Sequence, residues 1–176
     1  PVTDPYDENG WHRGVFAPPR DPELTAVFLP LSPVRLASFE LGRALLGLGA
    51  EVETTPHKHY PSGAAPLSDR ATLRVSRGAR TTELLVTVVP AERASEVVAA
   101  ALSSAVAAGG QGLDALVQRA RSVVFVHGAD EALELLVAAA FARAWLGPIR
   151  VRAGRVIGPK TALELLDHAL SAAASP

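Results

Sequence analysis

A unit of strand, loop, amphipathic helix, Leu-Gly and strand occurs twice in this chain, over residues 27–53 and 124–151. In the first, Val27, Phe28 and Leu29 lead through Ser32 and Pro33 into a helix that ends at Leu48 and Gly49, and residues 50–53 follow as a strand. In the second, Val124, Phe125 and Val126 lead through Gly128 and Asp130 into a helix ending at Leu146 and Gly147, with a strand over 149–151. A helix between two strands carries the chain back across a sheet face, so that both strands run the same way. Two such crossovers predict an α/β fold with helices packed on the sheet. They also direct attention to strand C-termini, where parallel sheets bind ligands.

The rest of the chain reads around these units. Residues 24–31 are a buried strand, Ser32 and Pro33 carry the residue types of a helix start, and Gly49 is a helix stop. Residues 51–55 form the next strand. Over 72–76 the chain alternates, with Leu73 and Val75 opposite Arg74. A turn over 77–80 and a return strand over 83–89 complete an antiparallel hairpin. Pro90 opens a helix over 91–108, Gly109, Gly110 and Gly112 interrupt it, and a short helix spans 113–120. Thr161 and Glu164 have capping-box spacing and start a last helix that runs to 173. The expected architecture is a mixed sheet of about five to seven strands, with two strand–helix–strand crossovers, an antiparallel hairpin and helices packed on it. If the hairpin pairs with 51–55, a two-layer α+β, ferredoxin-like arrangement competes.

A chain of 176 residues with 48% hydrophobic content can bury one sizeable core, which assigns residues 24–176 to a single domain. Before it lies an arm over 1–23, where Pro1, Pro5, Pro18, Pro19 and Pro22 with Gly10 and Gly14 oppose regular structure. Tyr6, Trp11 and Phe16 in this arm are costly to leave in water and are candidate partner-binding residues. A net charge of −1 disfavours general attraction to nucleic acid or an anionic membrane. The absence of cysteine removes disulfides, thiolate-held zinc and thiol nucleophiles, and fits a reducing cytoplasm. Only Lys58 and Lys160 are lysines, a skew that a GC-rich bacterial genome would produce. No apolar window is long enough to span a membrane.

Four groups of residues carry the candidate chemistry, and a fifth, a glycine run, is set aside. His57 and His59 form an H-x-H pair suited to metal ligation, without the following glutamate that a cupin would supply. His127 ends a strand just before Asp130 caps a helix, a position suited to acid–base work; His127, Asp130 and His57 are the catalytic candidates. Gly109, Gly110 and Gly112 do not make a phosphate loop, because they follow a helix and no Lys-Ser or Lys-Thr comes after them. Arg74, Arg77, Arg80, Arg150 and Arg152 are candidate anion-binding residues if their strands are neighbours. The helix over 131–146 is apolar nearly all round, so it is either sandwiched in the core or covered by another chain; Phe141 and Trp145 are its candidate partner contacts.

Nucleophile-elbow, zincin and cofactor fingerprints are absent, and no cofactor is expected. The reading that follows is a non-catalytic protein-binding or self-associating module, with a protein partner or homodimer. The alternatives are a small enzyme or metal-binding protein using His57, His59 and His127, and a polyanion binder using the hairpin arginines.

Overall fold

The computed structural model describes residues 16, 18–19, 21, 24–31, 34, 36, 39–55, 68–109, 112–152 and 154–174. Among the described residues seven strands make one sheet: β1 (Thr25–Leu29), β2 (Glu51–Thr55), β3 (Asp69–Arg77), β4 (Arg80–Pro90), β5 (Ser122–Gly128), β6 (Ile149–Arg150) and β7 (Val156–Ile157). Five helices accompany them: α1 (Phe39–Gly47), α2 (Ser95–Ala107), α3 (Leu113–Gln118), α4 (Glu131–Trp145) and α5 (Pro159–Ala174). A 3₁₀ turn over Ala91–Ala94 runs directly into α2. The strand order is β2-β3-β4-β5-β1-β6-β7, and every neighbouring pair is antiparallel.

Both crossovers join strands of the same direction, as the repeated unit implies, but the joined strands are never neighbours. β1 inserts between β5 and β6, and β3, β4 and β5 separate β1 from β2. The expected mixing of parallel and antiparallel neighbours is therefore replaced by an antiparallel ladder throughout. The physical reason is that the strands filling the gaps, β1 in one and β3, β4 and β5 in the other, alternate in direction with their neighbours, at the better geometry of antiparallel hydrogen bonds.

The hairpin does pair with β2, in the register Glu53↔Arg74↔Glu83. Two layers do not result, because both sheet faces carry helices. On one face Val27, Leu29, Val86, Val124 and Val126 pack with Leu41 and Leu45 of α1 and with α4 and α5. On the other face Ala26, Phe28, Val123 and Phe125 pack with Ala101 and Ala105 of α2 and Val117 of α3. Period-two alternation in β1 and β5 thus feeds two cores, which is why both strands read as continuous apolar runs. The second set of helices covers only part of its face. Arg74, Glu83, Leu85 and His127 remain exposed on the rest, the ordinary condition of an antiparallel sheet with one solvated side.

Several local details differ from the pattern. α1 begins at Phe39, whereas Val34 and Leu36 are non-helical and buried in the core; Ser32 and Pro33 lie outside the described residues. α5 starts at Pro159, two residues before Thr161, because proline's fixed φ suits the first helical position. The hairpin closes tightly: Arg77 pairs with Arg80, leaving Gly78 and Ala79 as the loop, and Gly78 takes φ 60° at the position where a two-residue hairpin turn favours glycine.

Candidate functional site

In the chain α4 connects the β5 terminus to β6, and polar side chains gather at its first turns. Asp130 caps the helix by accepting the Leu133 N–H at 3.1 Å and also pairs with Arg80 Nε at 3.2 Å. One turn on, Glu134 is 1% exposed. Its carboxylate accepts from Arg152 Nε at 3.1 Å, from Arg152 Nη2, and from the Gly128 N–H at 3.3 Å. Arg152 also donates to the Gly128 carbonyl at 2.6 Å and reaches Glu131 at 3.2 Å. Hydrogen bonding to Glu134, more than the nearby negative charges, raises the Arg152 pKa above its ordinary value. The arrangement is a clamp: one guanidinium ties the chain after β6 to the end of β5 and the first turns of α4.

This clamp leaves little for acid–base chemistry at His127. Alternation along β5 puts His127 on the side of Val123 and Phe125, facing α2 and α3, whereas α4 packs on the opposite face. His127 is exposed and cross-strand from Leu85, and Asp130 is already committed to the helix cap and to Arg80. The strand-terminus argument also fails in its premise, since antiparallel neighbours do not align their C-termini along one rim. His57 and His59 lie outside the described residues. Among the described residues no group of three His, Asp or Glu side chains is placed to hold a metal ion.

The five candidate arginines go to separate places. Arg74 is exposed on the open sheet face, between Glu53 and Glu83 in register. Arg77 donates from Nε to the Leu48 carbonyl beyond α1, and Arg80 holds Asp130. Arg152 is in the clamp. Arg150 is 3% exposed on the α2 side of β6, four strands from β3. No single basic strip joins the hairpin to β6.

The candidate partner contacts also separate. Phe141 is fully buried and stacks on the half-buried Trp145 with ring centroids 5.5 Å apart. α4 is covered by α1 and α5 of the same chain, so the sandwiched alternative holds for this helix, and Phe141 is not available to a second chain. Phe16 is docked: its N–H donates to Ser68 Oγ at 3.0 Å, and the Arg70 guanidinium lies 4.8 Å over its ring. Tyr6 and Trp11 lie outside the described residues.

Sequence reasoning passed over the exposed apolar side chains of the α1–α4 layer. Phe39 and Leu46 of α1 are 76% and 66% exposed, and Leu146 is 74% exposed. Phe39 and Leu46 are two turns apart on one stripe, with Arg43 stacked 5.5 Å over the Phe39 ring. Beside them an open groove of about 410 Å³ runs between α1 and α4, lined by Phe39, Glu40, Arg43, Gly47, Arg143 and Ala144. Leu146 holds a left-handed conformation, φ 55° and ψ 62°, at the C-terminus of α4. It is the only described non-glycine residue with positive φ.

The Leu-Gly pair at each helix end explains why Leu146 is there. After α1 the left-handed turn falls on Gly49, at φ 77°. After α4 the glycine has another task. A Cβ on Gly147 would sit 2.0 Å from the Phe28 carbonyl oxygen, so close approach to β1 requires glycine, and the left-handed turn moves back to Leu146. The periodicity marks Phe39 and Leu46 as helix residues without showing which face is covered, and nothing local distinguishes the two Leu-Gly endings. No family model, no curated protein and no solved structure matches this chain.

Proposed function

We propose that this chain is a non-catalytic protein-binding module that docks through the outer face of α1 and the C-terminal end of α4. The observation that carries the reading is Leu146. A leucine in the left-handed region costs about 1 kcal/mol or more relative to glycine, and here it presents its side chain to solvent. Such an outlier is retained most readily where the side chain has a use, and a leucyl side chain has only apolar contact to offer. Phe39 and Leu46 add two large apolar groups on the same helical layer, and Glu40, Arg43 and Arg143 give the groove a polar border. The commitment of Asp130, Glu134, Arg80 and Arg152 to one another supports contact over catalysis at the β5 terminus.

Light scattering of the wild type against Phe39→Ser, Leu46→Ser and Leu146→Gly tests the reading. An assembly that these variants dissociate identifies a second copy as the partner. If the wild type is a monomer at about 100 μM, well above the dissociation constants of stable interfaces, display selection for helical peptides follows. Binders that the three variants lose support the proposal. Assembly or peptide binding indifferent to all three refutes it.

A further inference from the structure

Among the described residues the sheet leaves one long edge unpaired. Its order begins at β2 and ends at β7. β7 is only two residues long and offers no ladder, whereas β2 presents five. Register decides which backbone groups of β2 face outward. Arg77 and Arg80 close a two-residue turn as a hydrogen-bonded pair, and bonded and non-bonded pairs then alternate along β3 and β4. Carried across the sheet, the same alternation accounts for the Phe28 N–H reaching the Pro148 carbonyl at 3.0 Å. Ser76, Arg74 and Thr72 therefore bond to Glu51, Glu53 and Thr55. That leaves the N–H and C=O groups of Val52 and Thr54 pointing away from the sheet. The Ala50 N–H, next in this outward series, is taken up by the Leu45 carbonyl at 2.9 Å. Among the described residues no backbone group outside the sheet bonds to Val52 or Thr54.

The side chains sort in the same way. Val52 and Thr54 are half-buried on the α1 side, opposite Val75 and Leu73, while Glu51 and Glu53 are exposed on the other face. On that face Glu53, Arg74 and Glu83 alternate in charge across three strands, and a cation beside Glu53 continues the row. A second copy of β2 fits poorly. Two-fold pairing centred on Glu53 sets the two Glu53 side chains opposite each other, and pairing centred on Val52 sets Glu51 opposite Glu53. The edge is also held in place, because Arg77 Nε donates to the Leu48 carbonyl at 3.1 Å and fixes the α1–β2 connection.

We propose that the β2 edge accepts an extended segment of another protein by strand addition, one that alternates basic side chains, opposite Glu51 and Glu53, with apolar side chains, opposite Val52 and Thr54. Ladder bonds supply the affinity, and the two carboxylates turn away acidic strands and a second copy. This edge is separate from the contact surface on α1 and α4 and does not rest on it.

The test uses ¹⁵N-labelled full chain and a short peptide of alternating lysine and valine, with the glutamate–valine peptide of equal length as control, at about 0.15 M salt so that distant charges are screened. Amide hydrogen exchange reads the result residue by residue. The lysine peptide should bind saturably and slow exchange at Val52 and Thr54, with little change at Glu53, whose N–H is already in the ladder. Thr54→Pro removes an outward donor and no ladder bond, so it should abolish binding with the fold retained. If that variant loses its fold by circular dichroism, the doubly substituted Glu51→Lys, Glu53→Lys chain carries the test. It should exchange preference to the glutamate peptide by about tenfold or more. No saturable binding of the lysine peptide up to about 1 mM, or binding without protection of Val52 and Thr54, overturns the proposal. So does protection of both amides in the free chain, which would mean that the chain itself or a second copy already covers the edge. Phe39→Ser should leave peptide binding unchanged; its loss there would place the peptide on α1 instead.

Discussion

Replacing Arg152 by methionine removes the guanidinium of the clamp and leaves the Glu134 carboxylate 1% exposed. Arg152 supplies two of the three donors that reach Glu134; the Gly128 N–H at 3.3 Å is the one that stays. Breaking one side of a buried ion pair costs about 3–5 kcal/mol. The Arg152 side chain is itself 38% exposed, so water reaches the vacated space and the penalty falls toward the lower end, about 2–3 kcal/mol. Glu134→Leu in the Arg152→Met background removes the stranded charge. That double variant should return to within about 1 kcal/mol of wild type, giving a coupling energy of about 2 kcal/mol. Urea unfolding of the four proteins, followed by far-UV circular dichroism at neutral pH, measures the cycle. Additive losses, or an Arg152→Met variant within about 0.5 kcal/mol of wild type, would mean that the clamp does not hold the β6 connection to α4.

Three further substitutions test close backbone approach and the end of α4. Gly147→Ala places a methyl against the Phe28 backbone and should cost about 3 kcal/mol or more, read as a fall in Tm. Gly128→Ala should cost less, since its nearest obstacle at 2.3 Å is the Leu84 side chain, which must repack within the core, and the closest backbone atom, the Glu83 carbonyl oxygen, is 3.1 Å away. Leu146→Gly should stabilise the fold by up to about 1 kcal/mol in the same assay, even as it weakens partner contact. A destabilised Leu146→Gly would show that the leucine is there for packing rather than for docking.

The larger core and the proposed contact surface lie on the same side of the sheet. The α1–α4–α5 side holds the larger core and ends in exposed Phe39, Leu46 and Leu146. On the α2–α3 side lies a smaller core.

Local chemistry determined a good deal of this. The alternation of Leu73, Arg74 and Val75 set β3, and the continuous apolar runs of β1 and β5 follow from burial on both faces. Asp130 capped α4 at the expected residue, and the all-round apolar surface of that helix required cover on every side. Tertiary structure decided what lies beside what. Insertion of β1 between β5 and β6 kept those two strands from pairing in parallel and placed Arg150 four strands from β3, and the packing of α4 on the opposite face left His127 away from it. It also decided which of two identical Leu-Gly endings would bear the left-handed turn, because only Gly147 meets the backbone of another strand. Residue type and spacing act within a few residues along the chain. Strand order and close backbone approach depend on residues more than a hundred positions apart, such as Arg150 and Leu24, and no local pattern encodes them.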